Sequence, residues 1–316
     1  MADICTITFN PCIDKSTSIS ALKPEKKLKC AAPVFEPGGG GINVARAIKK
    51  LGGEAIAIYP SGGYSGKFLN FLLEKEHIIV HQIETQRHTR ENMIVLERAT
   101  NQQYRFGMPG PQLFEDEWKQ CLQAIEESSS DYIVASGSLA PGVPKDIFAR
   151  ISKIAKKGNR KFIVDSSGEA LRMAIAEGVY LIKPNLGELS KLAGKEELFA
   201  DEIEQAAKNV TRKHNCEIVV VSLGASGAML VSQKETFKIS APVVKTKSTV
   251  GAGDSMVAGI VFSISKGKKL SEALQYGVAS GTAATLSNGT GLCKKEDVER
   301  LYGLIKNESI NGYQNQ

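Results

Sequence analysis

Ser248-Thr249-Val250-Gly251-Ala252-Gly253-Asp254-Ser255 leads without a break into the apolar run 256–264. Two glycines two residues apart permit a tight turn and let successive amides approach a bulky ligand, and the apolar run predicts a buried helix beginning there. The first N–H groups of such a helix lack partners within it and carry the positive end of its macrodipole. The junction is therefore a natural seat for a transferring phosphoryl group. Asp254 fits that seat poorly as a spectator. A carboxylate beside phosphate oxygens is unfavourable, which suits a proton acceptor for an alcohol attacking phosphorus; a plain helix cap, with Gly251 and Gly253 as turn residues, is the other reading.

Upstream, Pro37-Gly38-Gly39-Gly40-Gly41-Ile42-Asn43-Val44-Ala45-Arg46-Ala47 is a second concentrated signal. Each glycine adds unfolded-state entropy, so four in a row imply that something approaches this backbone closely. Ile42, Ala45, Ile48 and Leu51 recur at helical spacing and put Asn43 in the first turn, free to hydrogen-bond a ligand. Neither cluster supplies the GxGxxG of a dinucleotide fold. Gly62-Gly63-Tyr64-Ser65-Gly66-Lys67-Phe68 lacks the spacing of a Walker loop and the hydroxyl that should follow its lysine.

The remaining chain alternates strand and helix signals. Residues 4–9 predict a first strand ending at Asn10-Pro11, with Asp14 just past its carboxyl end, where open α/β sheets collect ligands; a turn aspartate is the alternative. Residues 15–36 and 90–107 read as a small β lid with short strands at 16–21, 28–35, 93–97 and 103–106. Arg90 and Arg105 within it carry forks suited to a phosphate, or are solvated surface arginines. Strands at 54–59, 78–83, 132–136, 161–165, 179–182 and 217–221 alternate with helices at 67–76, 115–126, 145–156 and 168–176. Helices at 270–286 and 295–306 follow, then a polar, frayed tail from 307. The pattern predicts one α/β domain over 1–316, a doubly wound, mostly parallel sheet with helices on both faces plus the lid. Polar loops stand at strand ends. Ser136-Gly137-Ser138 is one; Lys183-Pro184-Asn185-Leu186-Gly187-Glu188 is another, its Asn-x-x-Glu spacing suiting either waters around Mg²⁺ or a capping box. Ser222-Leu223-Gly224-Ala225-Ser226-Gly227 is either a phosphate or ribose cradle or a hairpin turn, and Ser287-Asn288-Gly289-Thr290-Gly291 is a flexible, carbonyl-rich loop.

Composition narrows the function classes. In 316 residues, 42% are hydrophobic and 23% charged, the profile of a soluble globular protein. The net charge of +6 is spread along the chain, and with only 6% aromatic residues there is no stacking platform for nucleic acid; acidic small substrates fit the charge. Six scattered cysteines form no CxxC pair, so reduced thiols, a cytoplasmic location and no zinc site are expected. No secretory leader or membrane-spanning run is evident.

Taken together, the stretches 38–47 and 248–255, about 210 residues apart, resemble the two signatures of the ribokinase-like sugar kinases. The likeness spans nearly the whole chain. Phe35-Glu36-Pro37, Tyr104-Arg105-Phe106 and Val164-Asp165-Ser166-Ser167-Gly168-Glu169-Ala170-Leu171 are similar to the phosphosugar branch of that family. The resemblance implies a doubly wound core, a β lid that pairs with the lid of a second subunit in a homodimer, and ATP-dependent phosphorylation of fructose 6-phosphate at its C1 hydroxyl. Tagatose 6-phosphate or fructose 1-phosphate are alternative acceptors, and a non-catalytic sugar-phosphate sensor is an alternative of a different class. It also assigns roles. Asp254 is implied as the base, with the amides of Gly251, Ala252 and Gly253 holding the moving phosphoryl. Asp14, Gly39, Gly40, Asn43 and Ser138 match sugar-binding positions, and Lys27, Arg90 and Arg105 match positions near the substrate or ATP phosphates. Lys183, Asn185, Ser222, Gly224, Ala225, Ser226, Gly227, Val278 and Thr282 match nucleotide positions, and Glu188 would serve Mg²⁺ through water. Ser248, Val250, Ala284, Ser287, Gly289 and Gly291 match a K⁺ site. In two places the chain departs from the family pattern: Ser248-Thr249 replaces a common Asp-Thr, and Lys29 stands where a phosphate-gripping arginine is frequent.

Overall fold

The computed structural model describes residues 3–213, 215–287 and 289–314; Asn288 of the carbonyl-rich loop and the end of the tail at 315–316 lie outside them. The strands are β1 (Ile4–Ile7), β2 (Cys12–Ile19), β3 (Val34–Gly38), β4 (Ile56–Ser61), β5 (Ile79–Glu84), β6 (Arg90–Glu97), β7 (Gln102–Phe106), β8 (Tyr132–Ser136), β9 (Lys161–Asp165), β10 (Val179–Ile182), β11 (Cys216–Ser222), β12 (Ala228–Ser232) and β13 (Thr236–Ile239). The helices are α1 (Gly40–Lys50), α2 (Gly63–Lys75), α3 (Glu115–Glu127), α4 (Ile147–Lys157), α5 (Gly168–Glu177), α6 (Leu186–Leu192), α7 (Ile203–Lys213), α8 (Ala252–Ser265), α9 (Leu270–Ala284) and α10 (Lys295–Gln314).

Nine strands form one sheet in the order β13-β12-β11-β10-β9-β8-β1-β4-β5, parallel from β11 to β5, with β12 and β13 joined antiparallel at one edge. Its central strands are apolar on both faces, as burial between two helix layers requires, while the edge strands β5 and β13 are largely exposed or half-buried. Alternate residues feed two separate cores: Ile4, Val134, Ile163, Leu181 and Val220 face α1, α8, α9 and α10, while Cys5, Ile133, Phe162, Ile182 and Val221 face α3, α4, α5 and α7. A β-carbon on Gly259 would meet Ser280, and one on Gly277 would meet Ile260, so α8 and α9 pack with little between their backbones. A second sheet, β3-β2-β6-β7, has a parallel central pair flanked by antiparallel neighbours.

The doubly wound expectation holds, with local corrections. No strand spans 28–35; residues 20–33 connect β2 to β3 without regular structure, because Pro24 and a run of lysines break the alternation that a strand needs. The strand expected at 16–21 begins earlier, at Cys12, so Asp14 lies on a strand rather than in a turn. Helix α7 and strands β12 and β13 were not anticipated, and α10 continues through the segment read as a frayed tail. No helix among the described residues is long and apolar enough to cross a membrane.

Candidate active site

Adjacent strands bring their carboxyl ends into one row: Ser222 on β11, Lys183 just past β10, Asp165 on β9, Ser136 on β8 and Thr8 just past β1. Growth of the sheet reverses direction between β8 and β1, the point at which open α/β sheets leave a crevice. The starts of α1 and α8 stand over this row. Gly251 caps α8 in the left-handed conformation, φ 74° and ψ 0°, which a side chain would strain.

Asp254, in the first turn of α8, does not cap its own helix. Its Oδ2 accepts from Asn43 Nδ2 at 3.0 Å and its Oδ1 from Ser136 Oγ at 3.3 Å, so α1 and β8 fix both oxygens. Burial, then the nearby Asp165 carboxylate, push its pKa up to about 6, while Asn43, Lys183 and Ser136 restrain the rise. A carboxylate poised near neutrality is a far better proton acceptor than an ordinary aspartate. Asn43, expected to be free for a ligand, is thus engaged with the base.

Lys183 is 7% exposed and pairs with Asp165 Oδ1 at 3.1 Å. Burial alone would depress its ammonium, but the carboxylates of Asp165, Asp254 and Glu188 hold it above its ordinary value, so it stays charged. Its Nζ lies 3.5 Å from the place a β-carbon on Gly253 would occupy, which puts a cation beside the α8 amides. Asn185 and Glu188 form the capping box of α6: Asn185 Oδ1 accepts from the Glu188 amide and Glu188 Oε2 from the Asn185 amide, both at 2.9 Å. The capping box is therefore formed, and it leaves Glu188 Oε1 and Asn185 Nδ2 outside its two hydrogen bonds.

Next to Gly253 opens a cavity of about 370 Å³, within the size range of small-ligand pockets, lined by Ser222, Gly224, Ala225, Gly227, Val278 and Thr282 among the residues the sequence singled out. The Ser/Gly loop is at once the hairpin joining β11 to β12 and one rim of this cavity. Ser226 is exposed and does not line it. Val243, Val244, Thr249 and Met256 do line it, and were missed. A larger cleft of about 570 Å³, at Lys156, Lys161, Tyr180 and Arg212, lies at the opposite end of the strands; its lysines are already held by Glu177 and by tyrosine rings.

On the other side of Asp254 lies β2. Asp14 is 8% exposed and accepts from Asn92 Nδ2 at 2.9 Å. Arg90 donates to the carbonyls of Met108 and Asn10, each at 3.0 Å, and Asn10 Nδ2 donates to Ser138 Oγ at 3.1 Å. Arg90 Nε and Asn10 Oδ1 are buried without a partner, the one a donor and the other an acceptor, as a polar ligand would use them. Lys27 and Arg105 are exposed on the small sheet and its connection, and within this chain neither reaches Asp254.

The run 38–41 is filled by the protein itself. β-Carbons on Gly38, Gly39, Gly40 and Gly41 would strike Asp14, Thr8, Ser136 and the Ile7 carbonyl respectively, and the Ile42 amide donates to Thr8 Oγ1 at 2.8 Å. What approaches this backbone is β1, β2 and β8, so Gly39 and Gly40 border the crevice while serving contact between elements. The carbonyl-rich loop folds against the start of α8: Ser248 Oγ donates to the Gly289 carbonyl at 2.7 Å, the Val250 amide to Ser248 Oγ at 3.2 Å, and the Ser287 amide to the Ala284 carbonyl at 3.1 Å. Thr290 hydrogen-bonds Glu36 of β3. Asp165 and Ser136 contact Lys183 and Asp254 in this site and were given no role from sequence, nor was Arg46, which lies behind Asn43; the first two were findable, since both end predicted strands in the row.

With this geometry in hand, comparison with known proteins places the chain. The pattern of the pfkB family carbohydrate kinases matches residues 2–297. The chain belongs to that family. This pfkB-family chain is 45% identical over 307 residues to the ATP-dependent 6-phosphofructokinase isozyme 2 of Escherichia coli, covering 96% of this chain and 99% of that one. It is 40% identical over 303 residues to the protein of the same name from Mycobacterium tuberculosis, covering 95% and 89%. A crystal structure of phosphofructokinase-2 from Escherichia coli in complex with potassium superposes with a TM-score of 0.93 at 44% identity, covering 97% of this chain and all of that one.

Proposed function

We propose that this protein is an ATP-dependent 6-phosphofructokinase, moving the γ-phosphoryl of ATP to the C1 hydroxyl of fructose 6-phosphate. The observation that carries the mechanism is Asp254, a carboxylate tuned towards neutrality between an apolar cavity on one side and Asp14 and Arg90 on the other.

The purine suits the cavity between Val243, Val244, Met256 and Val278, with the Ser222 and Gly224 rim near the ribose and phosphates. The γ-phosphoryl would meet the amides of Gly251, Ala252 and Gly253 at the α8 N-terminus, and Lys183 neutralises its oxygens from beside Gly253. Asp14 accepts hydrogen bonds from sugar hydroxyls, and the Arg90 guanidinium, held by the Met108 and Asn10 carbonyls, supplies positive charge for the substrate's own phosphate. Asp254 takes the proton of the attacking hydroxyl. The new O–P bond forms as the bond from phosphorus to the β–γ bridging oxygen breaks, ADP carries away that electron pair, and Asp254 later returns its proton to water.

Among the described residues no group of three or more carboxylate, histidine or cysteine ligands could enclose a metal. That fits Mg²⁺ held chiefly by nucleotide phosphates and water, with Glu188 Oε1 and Asp165 as its protein-side oxygens, where it would neutralise charge on the phosphates. The carbonyl and hydroxyl oxygens of Ser248, Val250, Ala284, Ser287, Gly289 and Gly291 carry little charge and suit K⁺, which would stiffen the loop behind the anion-binding amides. The whole chain acts as one kinase domain whose small sheet is the lid. Val34, Phe106 and Met108 are exposed on or beside that sheet, and a second copy packing there would form a homodimer over the sugar site. Purified protein with Mg²⁺ and K⁺ should release ADP with fructose 6-phosphate at a kcat/KM well above that with tagatose 6-phosphate, fructose 1-phosphate or fructose. Preference for one of the other three would reassign the substrate, and silence on all four with ATP still bound would make the protein a sensor.

A further inference from the structure

Arg46 has no part in the mechanism above, yet it is 2% exposed and surrounded by partners. Its Nε and one terminal nitrogen grip Glu76 at the end of α2 as a fork, at 2.8 and 2.6 Å, and Glu36 stands 3.8 Å away. Its other terminal nitrogen donates to the Pro37 carbonyl of β3 at 2.7 Å and to Asn43 Oδ1 at 3.3 Å. Asn43 then donates through Nδ2 to Asp254 Oδ2.

The amide of an asparagine presents a donor at one end and an acceptor at the other, and rotating it by half a turn exchanges them. Beside Asp254 the two orientations are opposites. With Nδ2 inward the carboxylate gains a hydrogen bond; with Oδ1 inward it faces a partial negative charge. A guanidinium can only donate, so Arg46 at the far end of the amide selects the first orientation.

We propose that Arg46 is a positioning residue for phosphoryl transfer: by donating to Asn43 Oδ1 it holds the amide so that Nδ2 orients the Asp254 carboxylate towards the attacking hydroxyl. This rests on Asp254 being the base. The other groups around that carboxylate are Ser136 on β8, Asp165 on β9, Lys183 past β10 and Cys12 on β2, none of which touches Asn43 from the Arg46 side. Losing the Asn43 donor removes an interaction that favours the ionised form, so the acid limb of kcat/KM against pH moves to higher pH.

The experiment compares Arg46→Lys, Glu76→Gln and Asn43→Leu singly, and Arg46→Lys combined with Asn43→Leu, by kcat, KM, pH profile and melting temperature. Lysine cannot bridge Glu76, Pro37 and Asn43 together; Glu76→Gln loosens the fork while keeping the arginine, for use if the lysine variant does not fold. Arg46→Lys is expected to lower kcat about tenfold, the lower end of the scale for residues that hold a direct partner in place. Both KM values should stay within about twofold, since no ground-state contact is lost. Glu76→Gln should move the acid limb the same way by less, and the combined variant should be no slower than Asn43→Leu alone. A purely structural arginine would lower the melting temperature while leaving the acid limb in place, and its losses would multiply with those of Asn43→Leu; either result overturns the proposal. An active Asp254→Asn enzyme would instead remove the base reading itself.

Discussion

The two glycine-rich helix starts look alike in sequence and are used in opposite ways. At the start of α1, residues 38–41 are pressed against β1, β2 and β8, and there is no room for even a methyl group. At the start of α8, Gly253 has only the tip of Lys183 within 4 Å of a notional β-carbon and lines the open cavity, while Gly251 is needed for its backbone angle. A glycine run thus marks close approach without saying what approaches: in one case a strand end, in the other the space a phosphate would fill.

The sharpest way to test the α8 half of this contrast is Asp254→Asn. It keeps the shape of the helix start and removes the base, so kcat should fall roughly 10²–10⁴-fold with modest change in KM. Near-normal turnover in a folded variant would reduce α8 to an anion-binding cap. Next comes the glycine pair itself. Gly40→Ala should cost about 1–3 kcal/mol, read as a lowered melting temperature, because its methyl would overlap Ser136 and the Gly137 amide. Gly253→Ala should melt within a few degrees of wild type yet bind ATP more weakly. If Gly40→Ala is neutral and Gly253→Ala destabilises, the comparison is broken. The smallest effect sharpens it by pH. Burial lifts Asp254 to about 6 in the fold, above its value in the unfolded chain, so stability present at low pH is lost as pH rises through about 6. Asp254→Asn should therefore melt higher than wild type at pH 8, by the equivalent of about 1 kcal/mol given the partial exposure of the group, and show no gain near pH 4.

Much of this was readable beforehand. Strands that are apolar on both faces, such as 132–136 and 217–221, announced a parallel sheet between helix layers, and Asp254 announced itself by being a carboxylate where a phosphate belongs. Helix α7 was not read, although Ile203, Ala206, Ala207 and Val210 are buried at helical spacing, because the polar residues between them masked the pattern. Edge strands β12 and β13 were not legible, since a short hairpin following a Ser/Gly loop has the same local signal as the loop alone.

The sequence by itself determined which residues are apolar in which period, where helices begin at glycine, and which side chains can take or hold a proton. Those are properties of neighbours along the chain, set by backbone sterics and side-chain chemistry. Tertiary structure alone decided that Asn43 donates to Asp254, that Lys183 stays charged against Asp165, and that Arg46 stands behind the base. Each depends on the distance or angle between polar groups that the fold brings together, mostly from different strands and helices. Hydrogen-bond and Coulomb energies change steeply with that geometry, and in these cases residue types and spacing along the chain left it open.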